Sequence, residues 1–189
     1  MQLPRTLSKF QPRSLNHLCR ATMSTTTRVP PTEASPPPWH AAYPAPRTSQ
    51  PNGMTREEVL AMLNSQLKDN SPSCQRDFVL VDLRRNDHEG GTIRGSINLP
   101  AQSLYPTIPT LYSLFKVANV RRVLWYCGSS GGRGTRAAGW FADHIEEQGD
   151  KEMQSLVLVG GIKGWARAGS ECTEWMDGYD VSVWSKLDS

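Results

Sequence analysis

The residues best suited to chemistry lie in one short run, Tyr126-Cys127-Gly128-Ser129-Ser130-Gly131-Gly132-Arg133-Gly134. A cysteine thiolate is a strong nucleophile, and its reactivity depends on how easily the thiol ionises. Gly128, Gly131 and Gly132 let the chain curl tightly, so that successive backbone N–H groups can converge on one anion. Ser129 and Ser130 can add hydroxyl donors. Arg133 closes the run, and its planar fork can grip two oxygens of a tetrahedral oxyanion, which lysine does less well. In an empty site the same field acts on the thiol, which beside a helix N-terminus and an arginine can fall from about 8.5 to roughly 3.5–7.5. Cys127 and Arg133 are therefore the candidate catalytic pair, and Gly128, Ser129, Ser130, Gly131 and Gly132 the candidate oxyanion cradle. Taken alone, a cysteine reads as a buried structural thiol. The glycine-rich turn and the arginine six positions on reverse that reading.

Such a loop works only where a strand hands over to a helix, so that the helix adds its positive end. The flanking sequence supplies both. Arg122-Val123-Leu124-Trp125-Tyr126 has the apolar run of a buried strand, and residues 133–147 carry Ala137, Trp140, Phe141, His144 and Ile145 at helical spacing. In open α/β sheets ligands bind outside the carboxyl ends of the strands, which is where Cys127 falls. Further strands are expected over Phe78-Val79-Leu80-Val81-Asp82, over 95–99 and over Ser155-Leu156-Val157-Leu158-Val159. Thr55-Arg56-Glu57-Glu58 is a capping box opening a helix with Val59, Leu60, Leu63 and Leu67 on one face. Helices are also expected over 111–117 and 162–167. Alternating strands and helices imply an α/β fold with a mainly parallel central sheet flanked by helices. From Cys172 onward no pattern emerges.

The chain has 189 residues, enough for one domain with a sizeable core, and no apolar run approaches the length of a membrane span. Residues 1–52 hold six Arg or Lys against one acid, a net +5, which leaves −2 for the remainder. The basicity thus belongs to the N-terminal segment, and a nucleic-acid-binding domain is not indicated. Ten of the 14 prolines fall in that segment, which lacks apolar periodicity and reads as a disordered tail. Its first part, residues 1–28, is rich in Arg, Ser and Thr and free of acids, as a mitochondrial presequence would be; Met23 is an alternative start, so residues 1–22 are either a targeting segment or not translated. Order is expected in a domain over 53–175, followed by an extension over 176–189. Cys19, Cys74, Cys127 and Cys172 show no metal-type spacing and read as free thiols in a reducing compartment, cytoplasm or nucleus, with the mitochondrial matrix as the alternative.

These features resemble a known family. Cys127 and Arg133, with five residues between them, resemble the loop of the protein tyrosine phosphatases. Val81-Asp82-Leu83-Arg84, Gly90-Gly91-Thr92-Ile93 and Gly95-Ser96-Ile97-Asn98-Leu99-Pro100, together with Val159-Gly160-Gly161-Ile162-Lys163-Gly164-Trp165 and Ala168-Gly169, resemble the signatures of rhodanese-like domains. The combination resembles the rhodanese-fold phosphatases, which include the M-phase inducer phosphatases, small fungal dual-specificity phosphatases and the eukaryotic arsenate reductases. Sulfurtransferases of this fold carry a loop one residue shorter, so the resemblance favours phosphate or arsenate over sulfur transfer. Two departures stand out: Tyr126 replaces the histidine usual before the nucleophile, and Leu83 replaces the second cysteine that protects the thiol in the larger M-phase inducers.

The expected function is hydrolysis of phosphotyrosine, with phosphoserine or phosphothreonine as further substrates, through a phosphocysteine on Cys127. Arsenate reduction with a thiol reductant is the first alternative; sulfur transfer and a non-catalytic binding role follow. The enzyme is expected to act as a monomer on a phosphoprotein, without metal, cofactor, nucleic acid or membrane. Asp82 and Arg84 are expected to brace the sheet edge, and Trp165 and His144 to pack inside. His88 reads as a surface loop residue, and Arg136 as solvated or as lending charge to the site. The loop holds no carboxylate, so Asp87 and Glu89 are the candidates for a leaving-group acid.

Overall fold

The computed structural model describes residues 37–68 and 76–186. Cys19, Cys74 and the suggested targeting segment lie outside the described residues.

The elements follow the sequence pattern closely. Strand β1 (Gly53–Met54) leads into helix α1 (Arg56–Lys68). The expected capping box opens that helix: Thr55 N–H donates to Glu58 Oε2 (2.7 Å) and Glu58 N–H to Thr55 Oγ1 (3.3 Å). Next come β2 (Phe78–Asp82), β3 (Thr92–Ile93), β4 (Ser96–Asn98), α2 (Ala101–Leu104) and α3 (Ile108–Val117). Pro109 sits in the first turn of α3, where its missing N–H leaves no gap. Then follow β5 (Arg122–Tyr126), α4 (Arg133–Glu147), β6 (Gln154–Leu158), α5 (Gly161–Ala166), α6 (Ser170–Thr173), β7 (Met176–Asp177) and α7 (Val181–Ser185).

Five strands form one sheet in the order β1-β6-β5-β2-β4, every neighbour parallel. Alternate residues of the central strands feed two cores. Val81, Val123 and Trp125 face one side with Phe115, Trp140 and Phe141; Leu80, Leu124 and Tyr126 face the other with Val59, Ile162 and Trp165. Both faces being covered explains why the central strands read as unbroken apolar runs.

The C-terminal residues, patternless in sequence, are part of the domain. β7 pairs antiparallel with β3, and Trp184 of α7 is buried with its indole N–H donating to the Gly90 carbonyl at 2.7 Å. A boundary at residue 175 would cut through this packing, so the expected extension over 176–189 is corrected as far as residue 186; the last three residues lie outside those described.

The N-terminal boundary is corrected too. Residues 37–52, expected in a disordered tail, run as a strap across α4. A 3-10 turn over Trp39–Ala42 opens the strap. Trp39 and Tyr43 meet Trp140 edge-on, with ring centroids 6.3 and 5.9 Å away, and Trp140 N–H donates to the Pro44 carbonyl at 2.8 Å. Asp143 accepts from Arg47 N–H (2.7 Å) and from Thr48 N–H and Oγ1 (2.9 and 2.7 Å). Asn52 and Met54 then join β6 through the amides of Val157 and Val159 (2.9 and 3.0 Å). The strap is aromatic side chains and capped amides, not a periodic element, and hydropathy patterns do not register such packing.

Gly139 allows the strap to lie close: a Cβ there would overlap the Thr48 carbonyl and come within 2.8 Å of Pro46 Cβ. Gly139→Ala is expected to cost about 1–3 kcal/mol as an overpacking change. It should also expose Arg47 to rapid tryptic cleavage that the unaltered protein resists, without loss of far-ultraviolet circular dichroism.

Candidate active site

Strand β5 ends at Tyr126, and Cys127 follows at its carboxyl end, 4% exposed. The chain then loops through residues 128–132 into α4, so that Arg133 is the first helical residue. Three interactions hold this loop. The Cys127 and Gly128 carbonyls accept from the amides of Ile162 and Lys163 (3.0 and 2.9 Å). The Ser130 carbonyl accepts from Thr135 N–H (3.2 Å) and Oγ1 (2.8 Å). Gly161, at φ +59°, lies so close that a Cβ would come within 2.5 Å of the Cys127 carbonyl oxygen and 2.6 Å of the Gly128 carbonyl oxygen. The second glycine of the closing signature thus fits against the backbone of the loop.

Above the loop lies a crevice of about 430 Å³. Cys127, Gly128, Ser129, Gly132 and Arg133 line it, with Arg136 and Lys163 beside them, Asp87 opposite charge to these, and Trp39 and His40 from the strap. Three cations and the N-terminal end of a 15-residue helix therefore surround one anion and the thiol. The field is one that draws in a multiply charged oxyanion.

Asp87 is the carboxylate of that crevice, and it is committed. Arg133 Nη1 donates to Asp87 Oδ1 at 2.8 Å, and Arg133 Nη2 to Oδ2. The Arg133 guanidinium holds the Asp87 carboxyl well below the usual carboxylate range, helped by the Arg85 amide. In return Asp87, with a smaller contribution from the Cys127 sulfur, raises Arg133 further above its ordinary value. Asp87 thus stays ionised and is excluded as a leaving-group acid. Glu89 lines not the Cys127 crevice but an adjoining hollow with Arg84 and Trp184, which shares Asp87, Gly128 and Lys163 with it. Two of Arg133's five N–H donors are used by Asp87, and three remain for a ligand.

A model of the rhodanese-like domain matches residues 56–168. This chain belongs to the rhodanese-like family. The match leaves out the strap, which therefore adds a wall to the crevice from outside the family's common core. Among similar proteins, arsenical-resistance protein 2 of Saccharomyces cerevisiae is 29% identical over 114 residues, 57% of this chain and 88% of its own length. Solved structures of similar fold include the As-Sb reductase of Leishmania major (TM-score 0.50, 23% identity, 58% of this chain and 72% of that one). They also include the yeast protein Ygr203w, a protein tyrosine phosphatase of the rhodanese family (TM-score 0.54, 22% identity, 70% and 96%).

Within this rhodanese-like domain most residues singled out by spacing converge, but Gly131 does not line the crevice and Ser130 does not face it. At φ +61° it is buried under the loop, with its Oγ against the Cys127 amide (3.5 Å) and near Gly134. It shapes the cradle instead of adding a hydroxyl to it. Ser129 remains on the crevice side. The Tyr126 ring lies on the opposite face of the sheet from Cys127, its hydroxyl bonded to Thr92 Oγ1 (2.7 Å) and Ser96 Oγ (2.8 Å); burial, then the Asp82 charge, pushes its ionisation up. Leu83 packs in the same core as Cys127. Cys172 packs in the other core with its thiol pushed up by burial, so it does not partner Cys127. Trp165 is fully buried and His144 half-buried against Tyr112, as expected. His88 is a loop residue with over a third of its side chain exposed, as expected, while its Nε2 reaches inward to 3.3 Å from Asp82 Oδ2 without hydrogen-bond geometry. Lys163, Trp39 and His40 were not singled out from the sequence as site residues. Lys163 sits inside the closing signature, where its position one turn from the paired glycines was a usable sign; Trp39 and His40 lay in a segment without periodicity.

Asp82 and Arg84 form a buried pair, 0% and 1% exposed, with Arg84 Nη2 to Asp82 Oδ2 at 2.7 Å and Nε to Oδ1 at 3.0 Å. Arg84 also donates to the carbonyls of Glu89 (3.1 Å) and Gly91 (2.6 Å), which fixes the loop that carries Asp87. Arg84→Met should cost about 3–5 kcal/mol in urea unfolding, because it strands a buried carboxylate. Adding Asp82→Asn to that variant should recover part of the loss; a double variant that loses the sum of both single effects would contradict the pairing.

Proposed function

We propose that this rhodanese-like domain is a cysteine-dependent phosphatase acting on aryl phosphates of the phosphotyrosine type. The observation that carries this reading is the crevice itself. A thiol at the end of β5 lies at the mouth of a helix, with Arg133 held in place by Asp87 and with Arg136 and Lys163 alongside. Trp39, which lines the same crevice, supports an aromatic substrate. In the proposed reaction the Cys127 thiolate attacks phosphorus and the bond to the leaving oxygen breaks in line. The Arg133 fork and the loop amides of residues 128–132 hold the equatorial oxygens as charge spreads over them. Water then attacks the phosphocysteine, releasing phosphate and the thiolate.

A second reading, arsenate reduction, is favoured by the 29% identity to arsenical-resistance protein 2. Arsenate has the shape and charge of phosphate and would occupy the same cradle. Its reduction needs a second thiol to attack the Cys127 sulfur, so that the sulfur–arsenic electron pair leaves with arsenic as arsenite and a mixed disulfide remains. Among the described residues no second cysteine lines the crevice, so on this reading the thiol comes from a soluble reductant such as glutathione.

The test compares hydrolysis of para-nitrophenyl phosphate and of a phosphotyrosine peptide with arsenite production from arsenate and glutathione, using the full chain. Cys127→Ser should lower the phosphatase kcat/KM by more than about 10⁴-fold. Arg133→Lys keeps the charge but loses the fork, and should lower it by about 10²–10³-fold. Cys127-dependent arsenite production with no phosphatase activity would replace the first reading by the second.

A further inference from the structure

We propose that His40 is the catalytic acid that protonates the leaving oxygen, supplied by the strap and not by the domain's reactive loop; this rests on the phosphatase reading above. An aryl oxide leaves poorly unless a proton reaches it as the bond to phosphorus breaks. The group that donates must stand on the far side of the phosphorus from the Cys127 sulfur, towards the mouth of the crevice. The loop beneath offers none, since residues 128–132 are glycines and serines. Asp87 is ionised and bound to both ends of the Arg133 fork. Arg133 and Arg136 do not give up protons, and the Lys163 ammonium is a strongly hydrated point charge suited to attracting the phosphate.

His40 is the remaining titratable side chain of the crevice. Its side chain lines the Cys127 crevice and is half-buried. The imidazole packs edge-on against Trp39 with centroids 5.4 Å apart and has no side-chain hydrogen bond among the described residues, so both of its nitrogens are available to a ligand. Its backbone is fixed. The 3-10 turn closes through Ala41 N–H to the Pro38 carbonyl (2.8 Å) and Tyr43 N–H to the His40 carbonyl (3.1 Å), and Tyr43 and Trp39 pin the turn to Trp140. Cys127, Asp87, Arg133, Arg136 and Lys163 are the titratable and charged groups that face it across the crevice. Imidazole as a class gives and takes a proton near neutral pH. As the Cys127 sulfur–phosphorus bond forms and the phosphorus–oxygen bond breaks, the imidazolium N–H proton passes to the leaving phenoxide, and neutral His40 remains. It then takes a proton from the water that attacks the phosphocysteine, which returns the thiolate and the imidazolium.

The full chain, His40→Gln and Cys127→Ser would be compared on phenyl phosphate and on 2,4-dinitrophenyl phosphate, whose leaving group needs no proton. For a proton donor, His40→Gln lowers kcat/KM on phenyl phosphate by about 100-fold or more, yet by less than about 3-fold on the dinitrophenyl ester. A purely structural role would lower both equally. Equal losses on both esters, or no loss on either, overturn the assignment of His40 while leaving the phosphatase reading intact. An unaltered chain that hydrolyses neither ester, or a Cys127→Ser variant that hydrolyses both, overturns the phosphatase reading and this assignment with it.

Discussion

The buried pair of Asp82 and Arg84 is the constraint on which the site's geometry depends. Asp82 ends β2, the strand beside β5, and is fully buried there against Arg84. Arg84 in turn spends its remaining donors on the carbonyls of residues 89 and 91. Thr92 and Asn98 complete the web, through Asp82 Oδ2 (3.0 Å) and through the carbonyls of Asp82 and Arg84 (3.0 and 2.9 Å). The loop so fixed presents Asp87, and Asp87 holds Arg133. One interior ion pair therefore sets the direction of the guanidinium next to Cys127, although neither member of that pair lines the Cys127 crevice.

The reactive loop is held from two further sides. Gly161 lets the closing segment touch its backbone, and the two amides that follow donate to the Cys127 and Gly128 carbonyls. Those two carbonyls are turned towards α5 and the Ser130 carbonyl towards the first turn of α4, so the loop is fixed by its backbone in chain that carries almost no side chains.

Much of this was legible in the sequence, because the signals were local. The run from Cys127 to Arg133 carries its chemistry in seven neighbouring residues, and β2, β5 and β6 are apolar enough to be read singly. What stayed hidden depended on distance along the chain. Trp39 and Tyr43 acquire meaning only from Trp140, and Trp184 only from Gly90. Prolines in the strap suggested disorder, yet a segment that packs by aromatic contacts and side-chain caps needs no regular backbone, and proline does it no harm. Ser130 misled for another reason: a serine in a glycine-rich loop has the right chemistry, and only its left-handed backbone shows that its hydroxyl turns inward.

The strap divides the crevice between two parts of the chain with different obligations. The floor, from β5 and α4, is bound to the sheet and can change little without disturbing the fold. The wall formed by Trp39 and His40 is a surface appliqué fastened at Trp140 and Asp143, and it carries no strand or core helix. Trp39 and Tyr43 anchor the strap to the core, whereas His40 packs only on Trp39 and can vary at smaller cost to folding. A lineage could therefore exchange one clientele of oxyanions for another by changing a few exposed positions of the strap, while the nucleophile and its cradle stay as they are.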